Sequence, residues 1–228
     1  MVRANLMKRL TVLLMLFGAC VVPADEQAAD SNVANTIEGG QYTPGWYPAV
    51  GQLWIGGRGA CTATLVADWV VLTAKHCGGA THFGVSDQNG AKAWVHVYQY
   101  MESPSADLML YSLRQRTGVV AMGRGTATGG AAATMIGFGT HTEGGDVYTE
   151  YKFAAKAKVV RVGGIITAEG TDGRVAPGDS GGPLIVAGRT VGTLITAEST
   201  GSYRALYTSH AANRDWLESN IAWMNHAP

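Results

Sequence analysis

From position 37 onward, apolar residues come in short runs separated by Gly, Asn, Asp and Ser. The runs at 49–55, 60–66, 69–73, 94–101, 108–113, 132–138, 148–162, 164–168, 183–186, 190–196 and 203–208 predict a series of short strands. Strands this closely spaced, with turn residues between them, point to a sandwich or to barrels. The end of the chain changes period: 214–225 predicts a helix with Trp216, Leu217, Ile221 and Trp223 or Met224 near one face and Asn213 as its N-cap. Upstream, 25–36 (DEQAADSNVANT) is polar and acidic without an apolar period and is expected to be a pro-segment. Residues 1–24 carry Arg3, Lys8 and Arg9 ahead of an apolar run over 10–22. That run is shorter than the roughly 20 residues a membrane span needs and suits the core of a signal peptide. Small residues at Val22 and Ala24 place the expected cut after Ala24, so the expected organisation is signal peptide 1–24, pro-segment 25–36 and one domain 37–228.

Composition supports many tight turns. Of 228 residues, 31 are Gly and only 7 Pro, with no collagen-like period, so the glycines belong in turns and bulges. Apolar residues make up 46% and charged residues 15%, which excludes a disordered or coiled-coil chain. The 17 basic and 17 acidic residues balance, so no nucleic-acid or anionic-membrane partner is expected. Export leaves Cys61 and Cys77 as an even pair in an oxidising compartment, and a disulfide between them is expected. The alternative leader has Cys20 in a loose lipobox, Leu16-Phe17-Gly18-Ala19-Cys20, which would make the protein lipid-anchored rather than freely secreted. The six histidines show no i, i+3 or i, i+4 pairing and there is no CxxC, so no metal is expected.

Three short segments carry candidate chemistry. Pro177-Gly178-Asp179-Ser180-Gly181-Gly182-Pro183-Leu184 sets a serine in a glycine-rich turn, where missing Cβ atoms allow a substrate carbonyl to approach the backbone. Thr73-Ala74-Lys75-His76-Cys77 places a histidine just after an apolar strand, and Ala106-Asp107-Leu108-Met109-Leu110 places a carboxylate at the mouth of another. A carboxylate there needs a donor such as imidazole to offset its burial.

These segments, in the order His, Asp, Ser, resemble the chymotrypsin/trypsin-like serine proteases, and the short mature chain with one cysteine pair is similar to the family's bacterial secreted members. Met135-Ile136-Gly137-Phe138-Gly139 falls where that family has a Gly-aromatic-Gly turn, and Leu206-Tyr207-Thr208 where it has a late pocket strand. The resemblance implies an all-β fold of two antiparallel six-stranded barrels with a C-terminal helix. It implies a Ser180, His76, Asp107 triad, an oxyanion hole from the N–H groups of Gly178 and Ser180, and the Cys61–Cys77 pair as the histidine-loop disulfide. Ile37-Glu38-Gly39-Gly40 resembles the N-terminus that activation creates, whose amine would pair with Asp179. A protein or peptide substrate, no cofactor and a monomeric state are implied too.

Departures from the family pattern limit what carries over. Lys75 and Glu38 stand where animal relatives have small and apolar residues, and Thr36 before the expected cut argues against a trypsin-like activator. Six residues before Ser180, at the family's pocket base, stands Arg174, which argues against cleavage after Lys or Arg and, if it faces the pocket, for acidic side chains. Ala197 and Ala205 are expected on the pocket walls, and Thr196 as the hydroxyl that supports Asp107. Gly178-Asp179-Ser180-Gly181-Gly182 also fits the nucleophile elbow of α/β-hydrolases, but Pro183 and the residues after it continue as a strand, not a helix. The remaining alternative is a catalytically silent binding module on a protease-like fold.

Overall fold

A computed structural model describes residues 37–86, 92–140 and 151–226, all within the unit Ala34–Pro228. After a two-residue strand β1 (Gln41–Tyr42) come β2 (Val50–Ile55), β3 (Arg58–Ala67), β4 (Val70–Thr73), β5 (Ala80–Ser86), β6 (Lys92–Glu102) and β7 (Met109–Leu113). These six close into an antiparallel barrel in the order β2-β3-β4-β7-β6-β5. The second half contains β8 (Ala132–Gly137), β9 (Phe153–Arg161), β10 (Ile165–Gly170), β11 (Pro183–Val186), β12 (Arg189–Ala197) and β13 (Arg204–Ser209). Their order is β9-β10-β13-β12-β11-β8, and the pairing of β8 with β9 closes a second six-stranded barrel, with β1 added to the edge of β9. The expected fold class is therefore the observed one.

Burial explains which segments are strands. In β4, Val70, Val71 and Leu72 are all buried because both faces are covered. Val71 packs into the first barrel with Leu53, Leu65 and Phe83, while Val70 and Leu72 pack outward against helix α1 (Arg214–Met224). In β6 only one face is covered, so its residues alternate in exposure. The second barrel is filled by Met135, Phe153, Val159, Ile166, Leu184, Leu194 and Tyr207 among others. Helix α1 leaves the second barrel and lays Leu217, Ile221 and Met224 on the first, and the Trp69 N–H donates to Asn225 Oδ1 at 3.1 Å. The chain end thus straps the two barrels together.

Several expectations need correction. β5 has no counterpart among the predicted strands because Thr81 and His82 break the apolar pattern at its start, and its pairing with β2 and β6 overrides local preference. The run expected over 148–162 begins as a strand only at Phe153, and 148–150 lie outside the described residues. Asn213 stands at the N-cap but makes no capping bond; its side-chain amide donates to the Ser209 carbonyl at 2.8 Å instead. Trp223 is exposed, and the buried stripe ends on Met224.

Cys61 on β3 is bonded to Cys77, in the 3-10 turn Lys75–Cys77, across a sequence separation of 16 and a Cα–Cα distance of 6.2 Å. A loop of this size contributes about 3 kcal/mol in the chain-entropy account. The Cys61→Ala, Cys77→Ala double variant is expected to lose about that much unfolding free energy in urea titrations; an unchanged midpoint would refute it.

Candidate active site

The histidine turn is built by three constraints. β4 delivers the chain to Thr73, the disulfide anchors Cys77, and the Lys75 ammonium donates to the Ser103 carbonyl at 3.1 Å. On the facing segment, the Ser103 hydroxyl accepts from the Ala106 N–H at 3.2 Å and the Leu108 side chain is fully buried, which fixes Asp107 between them. The Asp107 carboxylate then takes two bonds from one residue: the His76 backbone N–H at 3.0 Å and His76 Nδ1 at 2.7 Å. Because a carboxylate only accepts, Nδ1 carries the hydrogen and Nε2 is the ring's basic nitrogen. The Asp107 hydrogen bond raises the His76 pKa above 6.5, with partial burial opposing and the carboxylate charge adding to the rise. Burial pushes the Asp107 carboxyl up, but the hydrogen bonds from His76 and Lys75 outweigh it and hold Asp107 below its ordinary value.

The serine loop of the second barrel is fastened to the first by Thr62, which Thr73 backs. The Thr62 N–H donates to the Ser180 carbonyl at 2.9 Å, and the Thr62 hydroxyl donates to the Gly178 carbonyl at 3.0 Å while accepting from the Phe138 N–H at 3.0 Å. The Thr73 hydroxyl donates to the Thr62 carbonyl at 2.9 Å. Gly181 sits over this junction at φ +80°, where a Cβ would come within 2.0 Å of Thr73 Oγ1, so only glycine fits. Among the described residues, the N–H groups of Gly178 and Ser180 donate to no main-chain carbonyl and remain available as a donor pair. Thr62 and Thr73 escaped sequence analysis. Thr73 lies inside the histidine segment, but nothing local marks a hydroxyl that bonds 116 residues away, as Thr62 does.

Asp179 is fully buried, and the Gly139 and Ala176 N–H groups each donate to its carboxyl at 2.8 Å. Gly137 and Gly139 make room for it: a Cβ on either would approach Asp179 side-chain atoms to 2.0 and 2.7 Å. Burial pushes its pKa up to about 7 against the pull of the two N–H bonds. Ile37, also fully buried, packs in the second barrel's core at φ 45° and has no free amine in the continuous chain.

The expected pocket residues are only partly brought together. Arg174 forms a two-pronged pair with Glu38, Nε and Nη2 each 2.6 Å from a carboxylate oxygen, and its Nη1 donates to the Gly201 carbonyl at 3.0 Å. Gly201 lies in the turn between Ala197 and Ala205, which face each other across β12 and β13. The Ala205 side chain belongs to the second barrel's core. Among the described residues no hydrogen bond joins Thr196 to Asp107; the hydroxyl that reaches Asp107 is that of Thr208, 3.3 Å from the main-chain carbonyl. Among the described residues no cluster of three or more His, Cys, Asp or Glu could hold a metal.

Two closed barrels with an imidazole–carboxylate pair on one and a serine turn on the other define a chymotrypsin-like architecture. Residues 36–217 match the Trypsin family, and the chain belongs to that family. Trypsin alpha-4 of Lucilia cuprina is 25% identical over 199 residues, covering 72% of this chain and 78% of that protein. Two proteins of Corynebacterium glutamicum named as peptidases are each 29% identical over 150 residues, 60% of this chain. The chain spans about half of their length, 54%. Human heparin binding protein superposes with a TM-score of 0.71 at 19% identity, covering 80% of this chain and 95% of that one. Mouse neuropsin gives 0.69 at 22%, covering 81% and 99%. Both likenesses concern the fold.

The pairing makes a checkable statement about the imidazole. In an NMR titration His76 is expected to titrate above 6.5, and Asp107→Asn to bring the midpoint down, since it removes the anion that favours the charged ring. Equal midpoints in both proteins would show that the pair does not set the ring's charge.

Proposed function

We propose that the protein is a secreted serine endopeptidase, made as a precursor and activated by cleavage between Thr36 and Ile37. The observation that carries this reading is the 2.7 Å bond from His76 Nδ1 to Asp107, which leaves Nε2 as a base in the same fold that pins the Ser180 turn beside the histidine strand. Ser180 Oγ attacks the scissile carbonyl and its proton passes to His76 Nε2, while Asp107 holds the tautomer and stabilises the imidazolium. The N–H groups of Gly178 and Ser180 receive the oxyanion. Collapse of the tetrahedral intermediate expels the amine with the proton from His76, leaving an acyl-enzyme. Water, deprotonated by the same imidazole, attacks the acyl carbonyl and restores Ser180 with release of the acid.

Activation follows from the state of Asp179. In the uncut chain its folded pKa of about 7 lies above the ordinary carboxyl value of 3.8. Its contribution to stability is therefore full at pH below 3.8 and is lost as pH rises through about 7. A freed Ile37 ammonium delivered to this carboxylate supplies the missing counter-charge and reverses that loss. The leader 1–24 directs export, and 25–36 is the piece removed.

Intact-mass analysis with a fluorophosphonate is expected to show one adduct on a chain beginning at Ile37 and none in Ser180→Ala. An unlabelled Ile37 chain would favour the silent binding module instead. Asp107→Asn is expected to keep the fold and lower turnover by roughly 10⁴-fold, the loss this arrangement shows when its tautomer control is removed; wild-type turnover would refute the assigned role.

Specificity rests on the Arg174–Glu38 pair. With its fork matched to a carboxylate, Arg174 presents little uncompensated charge to a substrate. Glu38→Gln is expected to raise kcat/KM for peptides with Asp or Glu before the scissile bond by about tenfold, equivalent to roughly 1.4 kcal/mol, relative to peptides with Ala there. An unchanged ratio, measured on peptide pairs, would place Arg174 away from the substrate.

A further inference from the structure

A cleft of about 640 Å³ opens away from the triad, lined by the connector between the barrels (Gly123, Arg124, Gly125, Thr126), the turn between β11 and β12, and the start of α1. It contains none of His76, Asp107 and Ser180. Three arginines line it, Arg124, Arg189 and Arg214, against a single acidic residue, Glu218. His210 at its floor adds no charge. The ring is buried, Nε2 lies 2.8 Å from the Thr193 hydroxyl and Nδ1 lies 3.3 Å from the Thr190 carbonyl, and burial pushes its pKa down to about 4. A chain with no net charge thus concentrates an excess of about two positive charges in one concavity.

The arrangement is held by backbone. Arg124 forms a parallel bridge with Thr190, through the Gly125 N–H to the Thr190 carbonyl at 2.9 Å and the Thr190 N–H to the Gly123 carbonyl at 3.0 Å. Arg189 therefore lies directly beside Arg124, and its Nη1 donates to the Arg124 carbonyl at 3.3 Å. The glycines on either side of Arg124 are what let the Arg189 side chain cross: a Cβ on Gly123 would meet Arg189 Nη1 at 3.0 Å, and one on Gly125 would meet Arg189 Cβ at 3.0 Å. Arg124 itself is half-buried, and its guanidinium has no hydrogen bond or ion pair among the described residues. Burial lowers its pKa, against the opposing pull of the Glu218 charge in the same cleft.

We propose that this cleft is a binding site for a phosphate dianion, free or carried as a monoester on a small organic body. Guanidinium forks match tetrahedral oxyanions in pairs of N–H bonds. A phosphate monoester carries close to two negative charges at neutral pH, which equals the excess in the cleft. The volume lies in the range of small-molecule sites and exceeds what a bare ion fills. Bound there, the anion bridges the inter-barrel connector, the β11–β12 turn and α1.

Isothermal titration of the full protein with glucose 6-phosphate, inorganic phosphate and glucose tests this. Saturable one-to-one binding of either phosphate, with none of glucose, is expected. Tighter binding of the ester assigns the organic phosphate as ligand, and equal binding assigns free phosphate. Arg124→Gln is expected to weaken binding at least tenfold, and Arg214→Gln, at an exposed helix start, serves as a second variant that leaves the barrels untouched. Absence of saturable binding, or equal affinity in wild type and both variants, overturns the proposal.

Discussion

The burial of Asp179 is the constraint on which the site depends. A carboxyl with no exposed surface must be met by donors, and here they come from the Ala176 and Gly139 N–H groups, at opposite ends of a fold-back that includes the serine turn. To receive it the chain gives up side chains at Gly137 and Gly139. The loop is thereby pinned from inside the second barrel, while Thr62 pins it from the first. The position of Ser180 is set by both barrels at once. The same carboxyl is poorly satisfied, since two N–H bonds leave its pKa near 7, and a poorly satisfied buried group is what a new terminal ammonium can exploit.

The histidine side is organised on a different principle. There the connections are the covalent disulfide, the turn Lys75–Cys77 and the paired hydrogen bonds from one residue, His76, to both oxygens of Asp107. This half of the site sits on the first barrel, the Thr208 hydroxyl of β13 reaches the Asp107 carbonyl from the second, and the strap of α1 over Val70, Leu72, Leu108 and Leu110 covers the strands that carry it. An imidazole–carboxylate pair on the first barrel thus meets a serine turn that the bonds to the buried Asp179 fold back on itself.

Legibility in the sequence followed the range of the interaction. His76, Asp107 and Ser180 stand in compact segments whose residue types already imply their chemistry, and the Gly137–Gly139 turn was visible as a pattern. Strand β4 was legible because both of its faces are buried, so a continuous apolar run marks it. β5 was not, because Thr81 and His82 open it and only pairing with β2 and β6 makes it a strand. Thr62 could not be found at all: a threonine in a strand is ordinary, and its importance lies in the Gly178 and Ser180 carbonyls more than a hundred positions on. Asn213 shows the reverse case, a residue of the right type at the right place whose side chain has a better partner in the Ser209 carbonyl.

Arg174 illustrates why counting positions from a motif does not settle electrostatics. Its distance from Ser180 says where the backbone passes; the charge it presents is decided by Glu38, 136 residues away, which also follows the residue that activation would free. The backbone reinforces the pair, since the Arg174 N–H donates to the Glu38 carbonyl at 2.8 Å and the two residues form an antiparallel bridge. A pair held by both main chain and side chains is a stiff joint, and an apolar residue at position 38 would take away the carboxylate that Arg174 Nε and Nη2 bond. The acidic residue at 38 and the basic residue at 174, each a departure when taken singly, are therefore one feature: each charge compensates the other.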